Sequence, residues 1–381
     1  MFEVRLDPDL QSRGIFHGYL PLTDVEKILK AEGDYLLRVT DYQGKLICVL
    51  SIYYKGKVNT VCVNRKNKMY CFNDNHKDNR ICQLLDWHQK TKTPITEKGI
   101  ILKNPVTVES WNMVPNNVDL LLGDVYNCYR MKAYEVVINK EKQKIHAAAL
   151  LLTSKQLQIE SKKQFLAEGR VLRALSHPNI LQFYGMITSA LPFTMFVGLC
   201  QINLQALLQK NNVQKEQKVR FAIEAASALK YIADKGYVHK NVQAASCLID
   251  RSMTLKMANL CFAGSDQCPP FIHQENLEAI QAGWLAPETM LKHIFSKESD
   301  IWAFGVLLWE IYENGEIPYR GLTNMEIRSY VIHSQNRLDI PKNAPPKVKR
   351  LIAQCWEENP SRRPTVHELK NTIQGIEPNE L

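Results

Sequence analysis

Residues 301–311 (IWAFGVLLWEI) constrain this chain more than any other stretch. They are apolar on nearly every side of a helix, with Glu310 as the single charge. At about 3.6 residues per turn no face is left for water, so such a helix belongs in the centre of a large lobe. The run falls well short of the roughly 18 residues of a membrane span, and no other apolar run approaches that length. Gly315 stands at a C-cap position to end it. A chain of 381 residues has room for this lobe and for two or three domains in all.

The net charge of +9 is compatible with an anionic partner. Lys and Arg are scattered without a long basic run, which favours a solvated basic surface over a nucleic-acid stripe. The ten cysteines include no C-x-x-C pair and sit mostly in apolar segments. Neither a zinc site, another metal site nor a disulfide framework is expected, and reduced thiols are the plain reading. The start MFEVRLD has no signal-peptide core and no Met-Gly for myristoylation, and the end has no prenylation box. A soluble cytoplasmic protein is expected, with no nucleic acid partner and no membrane span.

Residues 103–117 (KNPVTVESWNMVPNN) carry two prolines and four asparagines between more regular stretches and read as a linker. Before it, Thr23-Asp24-Val25-Glu26 fits a helix-start capping box, with Val25, Ile28 and Leu29 as the apolar face. Residues 34–40, 45–54 and 58–63 are strand-like, and Gln43-Gly44 and Lys55-Gly56 mark turns. A second helix is predicted over 80–88. Residues 13–102 therefore read as a compact α+β module, an antiparallel sheet flanked by two helices.

Within that module, Ile15-Phe16-His17-Gly18 resembles the opening W-[FY]-H-G of the SH2 family, and residues 33–40 (GDYLLRVT) resemble its G-x-F-L-V-R-E-S. The resemblance implies phosphotyrosine binding through Arg38, with Thr40 as the hydroxyl residue two positions on. A guanidinium suits that task because it pairs with a phosphate through two parallel, charge-assisted hydrogen bonds. The family's helix arginine aligns with Leu22, its fourth-strand histidine with Thr60 and a nearby basic position with Cys62, so the secondary clamp is weakened.

Residues 118–377 resemble the tyrosine-kinase domain. With the preceding module and linker, nearly the whole chain is similar to non-receptor tyrosine kinases of the Fes/Fer type. The carrying motifs are Ala286-Pro287-Glu288, residues 300–305 (DIWAFG, opening with Asp300) and residues 355–364 (CWEENPSRRP). The resemblance implies a two-lobed protein-kinase-like domain and a buried Glu288–Arg363 ion pair.

The parts that handle phosphate charge depart from the family. Gly123 alone remains of G-x-G-x-x-G, with Val125 and Cys128 in the other two places. Counting back fourteen residues from Phe165 puts Leu151 where a strand lysine should neutralise phosphate, while its helix partner survives as Glu168. Lys155 lies about 13 Å further along an extended chain and is a poor substitute. Against H-R-D-L-A-A-R-N-C-L, residues 239–248 keep His239 as a packing residue but place Asn241 at the catalytic aspartate and Ser246 at the metal-binding asparagine. Asn259 replaces the metal-binding aspartate of D-F-G, and Asp266 is too far along to stand in. Residues 262–283 contain no tyrosine, and of P-[VI]-[KR]-W before A-P-E only Trp284 is left.

An amide cannot act as general base, and magnesium favours anionic oxygen. The resemblance therefore implies a pseudokinase with no cofactor, which partners tyrosine-phosphorylated proteins and, through its lobes, an active kinase. The alternative is a low-activity tyrosine kinase using ATP and magnesium.

Overall fold

The computed structural model describes Leu10 and residues 13–376, except 74, 114, 116–117, 129–130, 141–142, 153–158, 211–212, 261–263 and 266–280. In the first unit, β1 (Phe16–Tyr19), α1 (Leu22–Ile28), β2 (Asp34–Tyr42), β3 (Lys45–Tyr54) and β4 (Lys57–Cys62) are followed by a hairpin of β5 (Asn64–Lys66) and β6 (Met69–Cys71), then α2 (Ile81–Thr91). The period-two alternation of β2 decides what covers each face. Tyr35, Leu37 and Val39 share a core with Ile81, Leu84 and Leu85 of α2. Leu36, between them, packs with Val25 and Leu29 on the other side.

Both expected turns form, with Gln43 and Gly44 at φ 46° and 75° and Lys55 and Gly56 at φ 50° and 77°. Positive φ at both central residues matches the twist of the flanking strands. The sheet is mixed, however, and not simply antiparallel, because β1 runs parallel to β2. The capping box at Thr23 does not form. The helix already begins at Leu22, with Pro21 as an N-cap lacking a side-chain hydrogen bond. Thr23 is thus inside the helix, where its side chain cannot serve as the cap.

Within the stretch read as a linker, residues 104–113 are tied by backbone hydrogen bonds to both units. β7 (Asn104–Pro105) pairs with β2, and the Val108 amide donates to Gly14 O at 2.6 Å. The strap then crosses to the second unit, where Met113 N–H donates to Met186 O at 2.7 Å and Met186 N–H to Trp111 O at 2.8 Å.

The second unit has an upper antiparallel sheet of β8 (Val118–Cys128), β9 (Met131–Lys140), β10 (Gln143–Leu152), β11 (Phe183–Ile187) and β12 (Phe193–Gly198), in the order β11-β12-β10-β9-β8. Helix α3 (Ile159–Ala174) packs on it, and Gly169 lets its backbone meet the Met186 sulfur. The lower lobe contains β13 (Cys200–Asn203), α4 (Leu204–Leu208), α5 (Lys215–Asp234), β14 (Cys247–Asp250), β15 (Leu255–Met257), α6 (Pro287–Lys292), α7 (Lys297–Tyr312), α8 (Asn324–Arg328), α9 (Pro346–Cys355) and α10 (Val366–Gln374).

Helix α7 is the apolar run of residues 301–311, buried along nearly its whole length and opened by a Ser296–Ser299 capping box. Its C-cap is Glu313, and Gly315 follows at φ 77°, donating to Glu310 O at 2.7 Å.

The two units meet at a tight joint. A Cβ on Gly18 would lie 2.5 Å from the backbone carbon of Thr188, so the backbones of the two units touch directly. Tyr19 N–H donates to Thr188 O at 2.8 Å, and the Tyr19 ring lies 5.3 Å from that of Phe193.

Candidate functional site

Arg38 is 3% exposed, with its guanidinium seated between strands. Its Nε donates to Ser51 Oγ at 2.8 Å, one Nη to Leu20 O at 2.8 Å and the other to Thr60 Oγ1 at 3.4 Å. A guanidinium has five N–H donors, so the three bonds named leave capacity for an anion. Burial lowers its pKa, but a guanidinium remains charged. Thr60 is exposed on β4, so this end of the Arg38 guanidinium lies next to the surface.

Thr40 lies two residues along the same strand and therefore on the same face. Leu22, where a second arginine was expected, is 45% exposed. Ser51 was not singled out from the sequence. Its signal was there, as the one hydroxyl in the apolar centre of β3 (KLICVLSIYY).

One residue past Thr40, Asp41 joins the units. It accepts from the Tyr19 hydroxyl at 2.5 Å and pairs with Lys162 of α3, which is buried at 3% exposure. The Lys162 ammonium also lies over the Tyr19 ring, 5.1 Å from its centre. Arg170–Asp24 at 2.6 Å and Arg173–Glu109 at 2.8 Å extend the contact along α3.

In the cleft between the lobes of the second unit, the structural anchors are in place. Asp300 on α7 accepts the backbone amides of His239 at 2.7 Å and Lys240 at 2.9 Å, which shapes the loop. Below it, Arg363 makes a two-pronged pair with Glu288 at 2.6 and 2.8 Å. His239 is fully buried, and burial pushes its pKa down to about 4, so it packs as a neutral ring.

The positions read as chemical are neutral, and several bond one another. Asn259, at φ 62°, donates from Nδ2 to Ser246 Oγ at 3.3 Å. Gln243 Nε2 donates to Asn241 Oδ1 at 2.5 Å. Glu168 on α3 accepts the Leu260 amide at 3.3 Å, and burial raises its pKa to about 7.

Leu151 is not the residue on the cleft side of β10. Leu150 is fully buried in the core containing Phe165 and Leu172 of α3, whereas Leu151 packs against the opposite cluster of Val136, Ile138 and Phe196. A count off by one residue reverses the face of a strand. Leu150, equally uncharged, is thus the one on the same side of the sheet as α3. Gly123, Val125 and Cys128 lie within β8, where residues 124–128 are laddered to β9 instead of forming an open loop. Lys155 and Asp266 lie outside the described residues.

Glu310 was not singled out from the sequence as a site residue. It is fully buried, accepts Ala244 N–H at 2.9 Å and Trp284 Nε1–H at 3.0 Å, and has its pKa raised by burial to about 8. It thus ties the loop to Trp284, and its signal was the lone charge in an apolar helix.

The model of the family described as protein tyrosine and serine/threonine kinase matches residues 121–373. The chain belongs to this family. It is 29% identical to Fer-related kinase 1 of Caenorhabditis elegans, across 97% of this chain and 95% of that protein. It is 31% identical to human tyrosine-protein kinase Fer over 94% of this chain, and 31% identical to the transforming protein Fps of Fujinami sarcoma virus over 95%. The chain spans only 43% and 42% of those two relatives.

Kinases of this family use ATP and magnesium, and the residues at this site do not fit them. The places that would present a carboxylate and an amide to magnesium hold Asn259 and Ser246, bonded to each other. A hard divalent cation gains little from two neutral ligands. Leu150 offers phosphate no charge at all. Among the described residues no helix is long and apolar enough to cross a membrane.

Proposed function

We propose that this protein is a cytoplasmic SH2–pseudokinase. Its first unit reads phosphotyrosine through Arg38 and Thr40, and its kinase-fold unit binds a protein partner, such as an active kinase, without phosphoryl transfer. It acts as an adaptor or allosteric partner in tyrosine-phosphate signalling. The observation that supports this reading is the contrast between a charged Arg38 with spare donors and a cleft whose positions read as chemical are neutral, with Asn259 bonded to Ser246 and Asn241 to Gln243.

Removing a general base commonly costs about 10²- to 10⁴-fold in rate, and removing a phosphate-charge stabiliser costs a similar factor. Such losses are not additive within one catalytic unit, yet together they leave little turnover. The second reading is a low-activity tyrosine kinase. It is supported by the names of the relatives and by the retained Glu168 and Asp300.

Two measurements test this. Phosphotyrosine peptides should bind the wild-type chain and fail to bind Arg38→Ala, and equal binding by both would remove the first half. A thermal-shift titration with ATP and magnesium should give no shift. Ligand at a hundred times its Kd adds about 2.7 kcal/mol, so clear stabilisation at millimolar ATP favours the kinase reading.

A further inference from the structure

The two faces of the upper sheet carry different chemistry. On the outer face, Val136 and Ile138 of β9 pack with Ala147 and Ala149 of β10. Glu135, next to Val136, therefore projects to the opposite side, towards the lower lobe. Its direct cross-strand neighbour on that side is Ala148.

Glu135 reaches the lower lobe. Arg251, in the turn between β14 and β15, places one Nη 3.4 Å from each carboxylate oxygen. His146 Nδ1 of β10 lies 3.4 Å from one of the same oxygens. One carboxylate thus gathers a basic side chain from each lobe. The turn is ordered by its own contacts, because Asp250 Oδ1 accepts the Ser252 and Thr254 amides at 2.9 Å each. A turn fixed in advance presents its arginine at little entropic cost.

Behind this pair, the facing surfaces are covered by the chain itself. Ala148 of the upper sheet, Val197 of β12 and Leu248 of β14 are at most 1% exposed and belong to one apolar cluster. Cys200, which opens β13 directly after the last upper strand, is buried in the same cluster. The Arg251 side chain is 61% exposed and that of Glu135 24%, so the ion pair lies at the rim of this closed interior.

We infer that the Glu135–Arg251 pair is a latch that holds the two lobes closed on each other. The inference concerns how the lobes are held, and it is independent of whether the cleft transfers phosphate. A latched pair of lobes offers a docking protein one fixed face. An ion pair this exposed shifts the closing equilibrium by about fivefold or less, and its hold fades as salt rises.

Thiol labelling of the full chain with iodoacetamide, read residue by residue by mass spectrometry, tests it. Cys200 reports opening between the lobes, and Cys355, buried at the end of α9 in the lower lobe, reports unfolding. Glu135→Gln and Arg251→Gln should each raise the labelling rate of Cys200 about two- to fivefold and leave Cys355 unchanged. The charge-swapped variant E135R/R251E should return Cys200 to the wild-type rate. An unchanged Cys200 rate in both single variants overturns the latch. A rise that the swap does not reverse assigns the effect to packing and overturns the role of the ion pair. A parallel rise at Cys355 shows loosening of the whole lobe and overturns the inference as well.

Discussion

The Arg38 pocket and the cleft around Asn259 both bury polar groups, and they satisfy them in opposite ways. In the pocket a cation is held by neutral acceptors, Ser51, Thr60 and the Leu20 carbonyl, which orient it without neutralising it. In the cleft the positions read as chemical are neutral, with Asn259 bonded to Ser246 and Gln243 to Asn241, while Glu168 and Asp300 remain as buried carboxyls on backbone amides. A site that keeps an unneutralised charge is equipped to meet an oppositely charged ligand. A site whose donors and acceptors are already matched gains little by opening to one. The same fold has therefore retained charge where it anchors structure, at Glu288, Asp300 and Arg363, while its cleft has none of the expected lysine or aspartates.

The largest break in this contrast should come from Arg38→Met. Ser51, Thr60 and the Leu20 carbonyl would lose their donor, at a cost on the order of 2–4 kcal/mol in urea unfolding, together with loss of phosphopeptide binding. No change in either would make the pocket as inert as the cleft.

Next comes Glu168→Gln. The pKa of Glu168 is raised in the folded state to about 7, so folding favours its protonated form. Its contribution is full below the ordinary carboxylate range and is lost as pH rises towards about 7. The glutamine variant should equal the wild type near pH 5 and exceed it at pH 8 by about 2 kcal/mol. A parallel pH dependence in both chains would show that Glu168 has a cationic partner after all.

A smaller effect separates the faces of β10. Leu150→Lys should couple to Glu168→Gln in a double-mutant cycle by about 1–2 kcal/mol, and Leu151→Lys should not. Coupling at Leu151 instead would restore the original count. The smallest effect is Ser246→Ala, at about 1 kcal/mol or less, since it removes one long neutral hydrogen bond.

Much of this architecture was legible because it rests on patterns with a physical period. The apolar run of residues 301–311 could only be an enclosed helix, and Gln43-Gly44 and Lys55-Gly56 could only be tight turns. The Glu288–Arg363 pair followed from motif resemblance and forms with two-pronged geometry. Which of Leu150 and Leu151 faces α3 was not legible because residues 147–152 are all apolar and offer no alternation to show which face each residue takes. The backbone ties of residues 104–113 were not legible because proline and asparagine signal irregular backbone, and irregular backbone can still be hydrogen-bonded to its neighbours.

At the joint, Gly18 meets the backbone of Thr188 with no room for a methyl group, and buried Lys162 secures the neighbouring Asp41. Two flexibly tethered modules would search for their targets independently, with an effective concentration set by the tether. A backbone-to-backbone joint removes that search. On the proposed reading, the Arg38 site and the lobes are held at one spacing and one angle, so the protein would work as a gauge. Two partners bound at once would face each other in a single geometry, and any pair that cannot accept that geometry is excluded without a contact of its own.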